Sequence, residues 1–408
     1  MQMIKINKNM DSTIRDTLYN SILYGYFKIP FYIKHLHPTY IPKLNISTKI
    51  LSEHLHNKAY LSKKPNMAIH IITSVEKAKT HKRENGQYFT KGNCFKFKPF
   101  KVWFESIPDH KNITLIEPFA GYGDIPSLMR DAGYTNKWKQ FDLYPQNEET
   151  EKRDSIENCP EGKCIITNPP YLAKNSATRR KLKYPDTKYD DLYKLALDKM
   201  LKSSSYVAAI IPESFITSKL FLDRTSKIIS IKMKMFEDTD SPVCLALFTP
   251  NSSKTKIYNE NTLIGDFNYL EKFLPSPKVH YEWKFNKKGG NIGLIAIDNS
   301  KTDTIKFVEG NNISNDDIKI SSRAKTRISC ITDYDPNILI REANIILANF
   351  REKTQDVFLT SFKGVREDGK YRRRLDFSLA ASILDCAMEK AIQIPKFNGS
   401  FYLAYRKA

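Results

Sequence analysis

The sequence predicts an α/β protein: a mostly parallel sheet wrapped by helices over residues 81–252, followed by a mixed α+β region over residues 253–408. Two observations carry this reading. Short apolar, β-branched runs alternate with longer amphipathic segments, the pattern of successive strand–helix–strand units. Glycine, proline and acidic residues stand at the ends of those runs, where a parallel sheet places its ligand-binding loops.

Residues 1–80 are rich in Tyr, Lys and His and form an N-terminal extension, with weak helical periodicity over Asp11–Tyr26. Strands are expected at Ile113–Ile116, Lys139–Phe141, Cys164–Thr167, Val207–Ile211, Ile228–Met233 and Val243–Phe248. Helices fit between them at Ile125–Ala132 and Asp190–Lys202. After the break at Asn251-Ser252-Ser253, strands are expected at Asn291–Ile297 and Thr304–Val308. Asp335 followed by Pro336 reads as a helix N-cap with proline at the first helical position, opening a helix that runs to Arg351.

Composition narrows the function classes. The 408 residues carry 65 Lys and Arg against 45 Asp and Glu, a net charge of +20. A basic surplus of this size points to a polyanionic partner, because neutralising phosphates releases counterions. A coding bias toward Lys, Ile and Asn is the plainer source of the same surplus. The six cysteines form no CxxC pair and read as small core residues in a reducing compartment. The pairs His35/His37 and His54/His56 lack acidic or Cys companions, so no metal is expected. No apolar run approaches the ~20 residues that span a bilayer, and the first residues carry no signal-like apolar stretch. The expected setting is cytoplasmic, with no membrane partner.

Three stretches carry chemistry. Glu117-Pro118-Phe119-Ala120-Gly121-Tyr122-Gly123 follows a strand and precedes a helix. Glycines there let the backbone approach a ligand, and an acidic strand end can bind an ammonium or hydroxyl group. Asp142, followed by Leu143, ends the next strand, where a doubly wound sheet presents a carboxylate to ribose. Asp154 lies just beyond and can accept from an adenine amino group. The third stretch is Asn168-Pro169-Pro170-Tyr171, at the end of a buried strand. An aromatic amino nitrogen is a poor nucleophile because its lone pair is delocalised into the ring. The Asn168 side-chain oxygen and the carbonyl between the prolines can accept both of its N–H bonds and aim the lone pair outward. Two prolines fix φ and hold those acceptors rigid, and Tyr171 offers a flat face for a base.

That last run resembles the catalytic signature of amino-methyltransferases acting on DNA. Together with Asn85-Gly86-Gln87-Tyr88-Phe89-Thr90 upstream, Tyr189-Asp190-Asp191-Leu192-Tyr193 and Ala208–Phe215 downstream, it resembles the gamma-class adenine-N6 methyltransferases, over about residues 81–250. The resemblance implies a Rossmann-like, S-adenosylmethionine-dependent catalytic domain over 81–252 and a target-recognition domain over 253–408. It implies that Tyr88, Phe89, Thr90, Glu117, Pro118, Phe119, Gly121, Gly123, Asp142, Leu143, Asp154 and Asn168 hold S-adenosylmethionine. Asn168, Pro169 and Pro170 would orient the amino group, with Tyr171 and Phe236 sandwiching the extruded base. The bulky Tyr122 between the glycines departs from the family pattern. Double-stranded DNA is the implied partner, with a separately encoded restriction endonuclease beside it. Contact with DNA is expected from Arg323, Lys325, Arg327, Arg366, Lys370, Arg372, Arg373 and Arg374, on segments whose glycines and charge suggest a mobile loop. Other acceptors stay open: cytosine N4, an RNA adenine or a protein glutamine. So does a non-catalytic subunit that binds nucleic acid. Glu161-Gly162-Lys163 has the spacing of a nuclease site, but it sits inside the catalytic core.

Overall fold

The computed structural model describes residues 90–236, 239, 241–318 and 323–393. The N-terminal extension, both histidine pairs, Tyr88, Phe89, Ser321 and Ser322 lie outside these residues. The described residues divide into two compact units, one comprising 90–169 with 192–393 and the other 170–191.

The larger unit is built on a nine-stranded sheet. In chain order its strands are β1 (Leu115–Glu117), β2 (Trp138–Asp142), β3 (Thr150–Lys152), β4 (Gly162–Thr167), β5 (Ser204–Pro212), β6 (Thr225–Ile231), β7 (Val243–Phe248), β8 (Lys256–Asn259) and β9 (Thr262–Asp266). They lie side by side as β3-β2-β1-β4-β5-β7-β6-β8-β9. The first five are mutually parallel, and β7 is inserted antiparallel to both β5 and β6. The order 3-2-1-4-5 is that of a doubly wound, Rossmann-like sheet, with its chain reversal between β1 and β4. The sheet continues through β8 and β9 to Asp266, past the Asn251–Ser253 break.

Sequence dictates these elements directly. Every residue of β7, Val-Cys-Leu-Ala-Leu-Phe, is buried, as an interior strand covered on both faces requires. Helix α1 (Lys98–Glu105) has proline in its first turn and buries Phe100, Trp103 and Phe104. The Trp103 indole N–H donates to the Phe248 carbonyl at 3.2 Å, tying that helix to the end of β7. Helix α2 (Asp124–Asp131) follows β1. In the smaller unit, α3 (Lys174–Arg179) follows a short extended stretch. Helix α4 (Leu192–Ser203) returns to the larger unit and lays Tyr193, Leu197 and Met200 into its core beside β5.

Beyond α5 (Phe267–Glu271), a four-stranded antiparallel sheet runs β10 (Trp283–Phe285), β13 (Lys325–Cys330), β11 (Ile292–Ile295) and β12 (Lys306–Glu309) side by side. Helix α6 (Pro336–Thr354) is capped as expected, the Asp335 carboxylate accepting from the Asn337 and Ile338 amides. A hairpin of β14 (Thr360–Val365) and β15 (Tyr371–Arg374) precedes α7 (Phe377–Gln393). This hairpin occupies the stretch expected to be a mobile loop. Among the described residues, no helix is long and apolar enough to cross a membrane.

Candidate active site

The carboxyl ends of β1, β2 and β4 form one edge, with β1 paired in register to both neighbours. Between β1 and α2 the chain makes its glycine turn. Gly121 and Gly123 have φ of 53° and 77°, left-handed values that a side chain resists. A Cβ on Gly123 would also lie 3.1 Å from the Gln140 side-chain oxygen. Asp142, at the end of β2, clamps this turn. Its carboxylate accepts from the Gly121 amide at 2.8 Å and from the Tyr144 amide at 2.8 Å. Burial pushes the Asp142 carboxyl up, while those two amides pull the other way. Pro118 is buried, Phe119 is half-buried, and Tyr122, Leu143 and Tyr144 are exposed along the rim. Asp154 spends one carboxylate oxygen on its own turn, accepting from the amides of Ile156 and Glu157.

Glu117 is 1% exposed, and its Oε2 has no hydrogen-bond partner. Burial, with Asp124 and Asp142 adding to it, holds this carboxyl well above the ordinary carboxylate range. A buried acid in that position calls for a proton or a cation. The folded chain therefore holds a proton that the unfolded chain releases in the window between the ordinary glutamate range and the raised value. Stability is present below that window and falls as pH rises through it. Glu117→Gln is expected to remove this decline, raising the melting temperature of the ligand-free protein above the window. Thermal unfolding across pH checks it, and parallel curves for both proteins would contradict it.

The strand end at Asn168 meets a second arm. The Asn168 side-chain amide N–H donates to the Thr90 hydroxyl at 3.2 Å, across 78 residues of sequence. Thr90 is buried and forms an isolated antiparallel bridge with Phe236. The Lys91 amide donates to the Met235 carbonyl at 2.8 Å, and the Lys91 ammonium reaches Asp124 at 3.3 Å. Residues 90–92 thus run from the Phe236 segment toward the glycine turn. The fit at Gly92 is close: an added Cβ would lie 2.8 Å from the Lys234 carbonyl oxygen and 2.6 Å from the Met235 sulfur. Pro169 is buried and Phe236 is 1% exposed. Pro170 and Tyr171, both half-buried, begin the smaller unit.

Several features of this edge were not read from sequence. Glu213, immediately after β5, is 3% exposed. It accepts from the Arg373 guanidinium at 2.8 Å and 3.3 Å, and from the hydroxyls of Ser230 and Ser361. Burial pushes this carboxyl up, but Arg373 and the hydroxyls of Ser230 and Ser361 together outweigh it and the net direction is down. An acid inside the apolar run Ala208–Phe215 was the available signal.

The basic C-terminal residues divide sharply. Arg366 is 5% exposed and pairs with Asp298 at 3.0 Å and Asp368 at 2.6 Å. Arg327 is buried, and its Nε donates to the Ile313 carbonyl at 2.8 Å. Arg372 donates to the Asp298 carbonyl and lies over the Phe362 ring. Arg374 is half-buried, with its Nε in the interior. Only Arg323, Lys325 and Lys370 of the eight are exposed, and Lys325 pairs with Asp317 at 3.0 Å. Expecting all eight to face a polyanion thus needs correction for Arg327, Arg366 and Arg373. Their guanidinium groups are spent inside the fold.

No protein-family model matches the chain, and no curated protein matches it in sequence. Solved structures resemble it weakly. The M protein of the type I restriction enzyme EcoKI shares 12% identity, covering 80% of this chain and 77% of its own, with a TM-score of 0.30. A type I restriction-modification methyltransferase subunit from Streptococcus thermophilus shares 11% identity over 65% of this chain and 78% of its own, with a TM-score of 0.32. A protein described as a modification subunit of a type I restriction enzyme from Vibrio vulnificus shares 11% identity over 47% of this chain, with a TM-score of 0.30. This chain spans 52% of that subunit's length. At such scores the fold rests on the strand order rather than on the likeness.

Proposed function

We propose that the chain is an S-adenosylmethionine-dependent DNA methyltransferase acting on the N6 amino nitrogen of adenine. The observation that carries this reading is the meeting of Asn168, Thr90 and Phe236 on the carboxyl edge that also holds the Gly121–Asp142 turn. Those residues are scattered over 147 positions of sequence, and the fold has little other reason to gather them.

The residues present fit the cofactor. Glu117 offers an unpartnered buried oxygen suited to an ammonium group, and the left-handed glycines keep side chains out of the turn. Asp142 is preorganised by two amides for ribose hydroxyls, with Leu143 exposed beside it to cover an adenine face. When bound, S-adenosylmethionine supplies an electrophilic sulfonium methyl group.

The protein's own part is to make a weak nucleophile competent. The Asn168 amide nitrogen donates to the Thr90 hydroxyl, and Oδ1 is the acceptor end of the side chain. Accepting one amino N–H there, and the other at the Pro169 carbonyl, localises the lone pair on nitrogen. Methylation makes that nitrogen cationic and acidic, so its proton leaves toward Asn168 or water without a dedicated base. Reaching the amino group in a duplex requires extruding the base, which costs a few kcal/mol. Phe236, on this edge, is the aromatic residue assigned to one face of it, and Tyr171 is assigned from the Asn-Pro-Pro-Tyr motif alone. Arg323 and Lys370 remain exposed to meet phosphates.

The test offers the purified chain methyl-labelled S-adenosylmethionine with duplex DNA, RNA and a glutamine-bearing protein in competition. Label recovered as N6-methyldeoxyadenosine is expected. Label in N4-methylcytosine, RNA or protein would reassign the acceptor, and none anywhere would favour a binding subunit.

A further inference from the structure

The smaller unit carries a basic surface that the C-terminal arginines had obscured. We infer that residues 174–188 form a phosphate-binding flap that grips the DNA backbone. The inference rests on the proposed DNA methyltransferase reading and deepens it.

The segment is folded on itself at its neck. Ala173 bridges Asp191, the Leu172 amide donates to the Asp191 carboxylate at 3.1 Å, and the Lys174 amide donates to the Asp190 carbonyl at 2.8 Å. Leu172, Ala177 and Tyr189 are buried, and the Tyr184 hydroxyl donates to the Tyr189 carbonyl. Burial, with Asp191 and Asp190 adding to it, pushes the Tyr184 phenol up to about 12, so it stays a neutral donor. A closed neck holds the rest of the segment as a defined fold of its own.

That segment presents cations to solvent. Lys174, Arg179, Arg180, Lys181, Lys183 and Lys188 are all exposed. Arg179, Lys181 and Lys183 form no ion pair among the described residues, in contrast to Arg366 and Arg373. Asn175, Ser176 and Thr178 stand on the same short helix, and amide and hydroxyl groups among cations are what phosphate contact uses. Six cations within fifteen residues, held against self-repulsion by a closed neck, suit a polyanion rather than an acidic side chain or two.

The experiment measures duplex-DNA affinity of the full chain against salt concentration. The test variant is Arg179→Gln/Lys181→Gln/Lys183→Gln. The control removes equal charge from the other unit, as Lys96→Gln/Lys98→Gln/Lys101→Gln. Each lost phosphate contact lowers the slope of log affinity against log salt by about 0.9, so the test variant's slope should flatten by about 2 to 3. The control should keep the wild-type slope. KM for DNA should rise in the test variant while S-adenosylmethionine affinity and kcat at saturating DNA hold. Steep wild-type binding with an unchanged test variant, or equal flattening in the control, overturns the inference alone. A wild-type chain that binds no DNA overturns it together with the reading beneath it.

Discussion

Arg373→Ala is expected to destabilise the protein by roughly 3–5 kcal/mol, the range for stripping one partner from a buried ion pair. Arg373 is 12% exposed at its side chain and Glu213 2%, so solvent cannot replace the lost contact. The effect should depend on pH in a definite sense. In the wild type the Glu213 carboxyl lies below its ordinary range, so its contribution is present above that range and lost as pH falls through the lowered value. Without Arg373, burial governs and the carboxyl rises. The variant's deficit should then shrink in mild acid, where Glu213 takes up a proton. Chemical denaturation at neutral and mildly acidic pH measures both. Arg373→Met combined with Glu213→Gln should recover much of the loss, because no charge is then buried unpaired. A deficit under about 1 kcal/mol at neutral pH, typical of exposed pairs, would contradict the geometry. Because this pair and Ser361 tie β14–β15 to Glu213 at the end of β5, the loss should appear as separation of the C-terminal hairpin, readable by protease sensitivity near residues 360–374.

Much of the fold was legible because burial leaves a periodic trace. Val243–Phe248 was readable to the residue, and the strands at 162–167 and 204–212 were found from their apolar cores. Strand direction was not. An all-apolar strand reads alike in either orientation, so the reversal of β7 left no mark. Thr150-Glu151-Lys152 was missed because an edge strand with two exposed residues carries no apolar alternation. The β14–β15 hairpin was misjudged as a mobile loop for a different reason. Its arginines find their carboxylates at Glu213 and Asp298, 160 and 68 residues away from Arg373 and Arg366, and no local pattern reveals such partners. Individual elements of the site could be named from motifs, but the Thr90–Asn168 contact is a property of the fold.

Asn168→Ala, with Glu117 and Asp142 still in place to hold S-adenosylmethionine, should keep most of its cofactor binding and reduce methyl transfer by about 100- to 1000-fold. That is the range for removing one preorganised hydrogen-bonding group aimed at developing charge. Thr90 would keep its bridge to Phe236 through the backbone, so the arm should stay in place. The loss should therefore fall on the chemical step and not on assembly of the edge. Single-turnover transfer to duplex DNA, measured at saturating S-adenosylmethionine with cofactor affinity determined on the same preparation, reads this most directly. A rate at least a hundredfold below wild type, with a far smaller change in cofactor affinity, is predicted. Wild-type transfer by the alanine variant would contradict it, since the Asn168 side chain would then have no hand in activating the amino nitrogen.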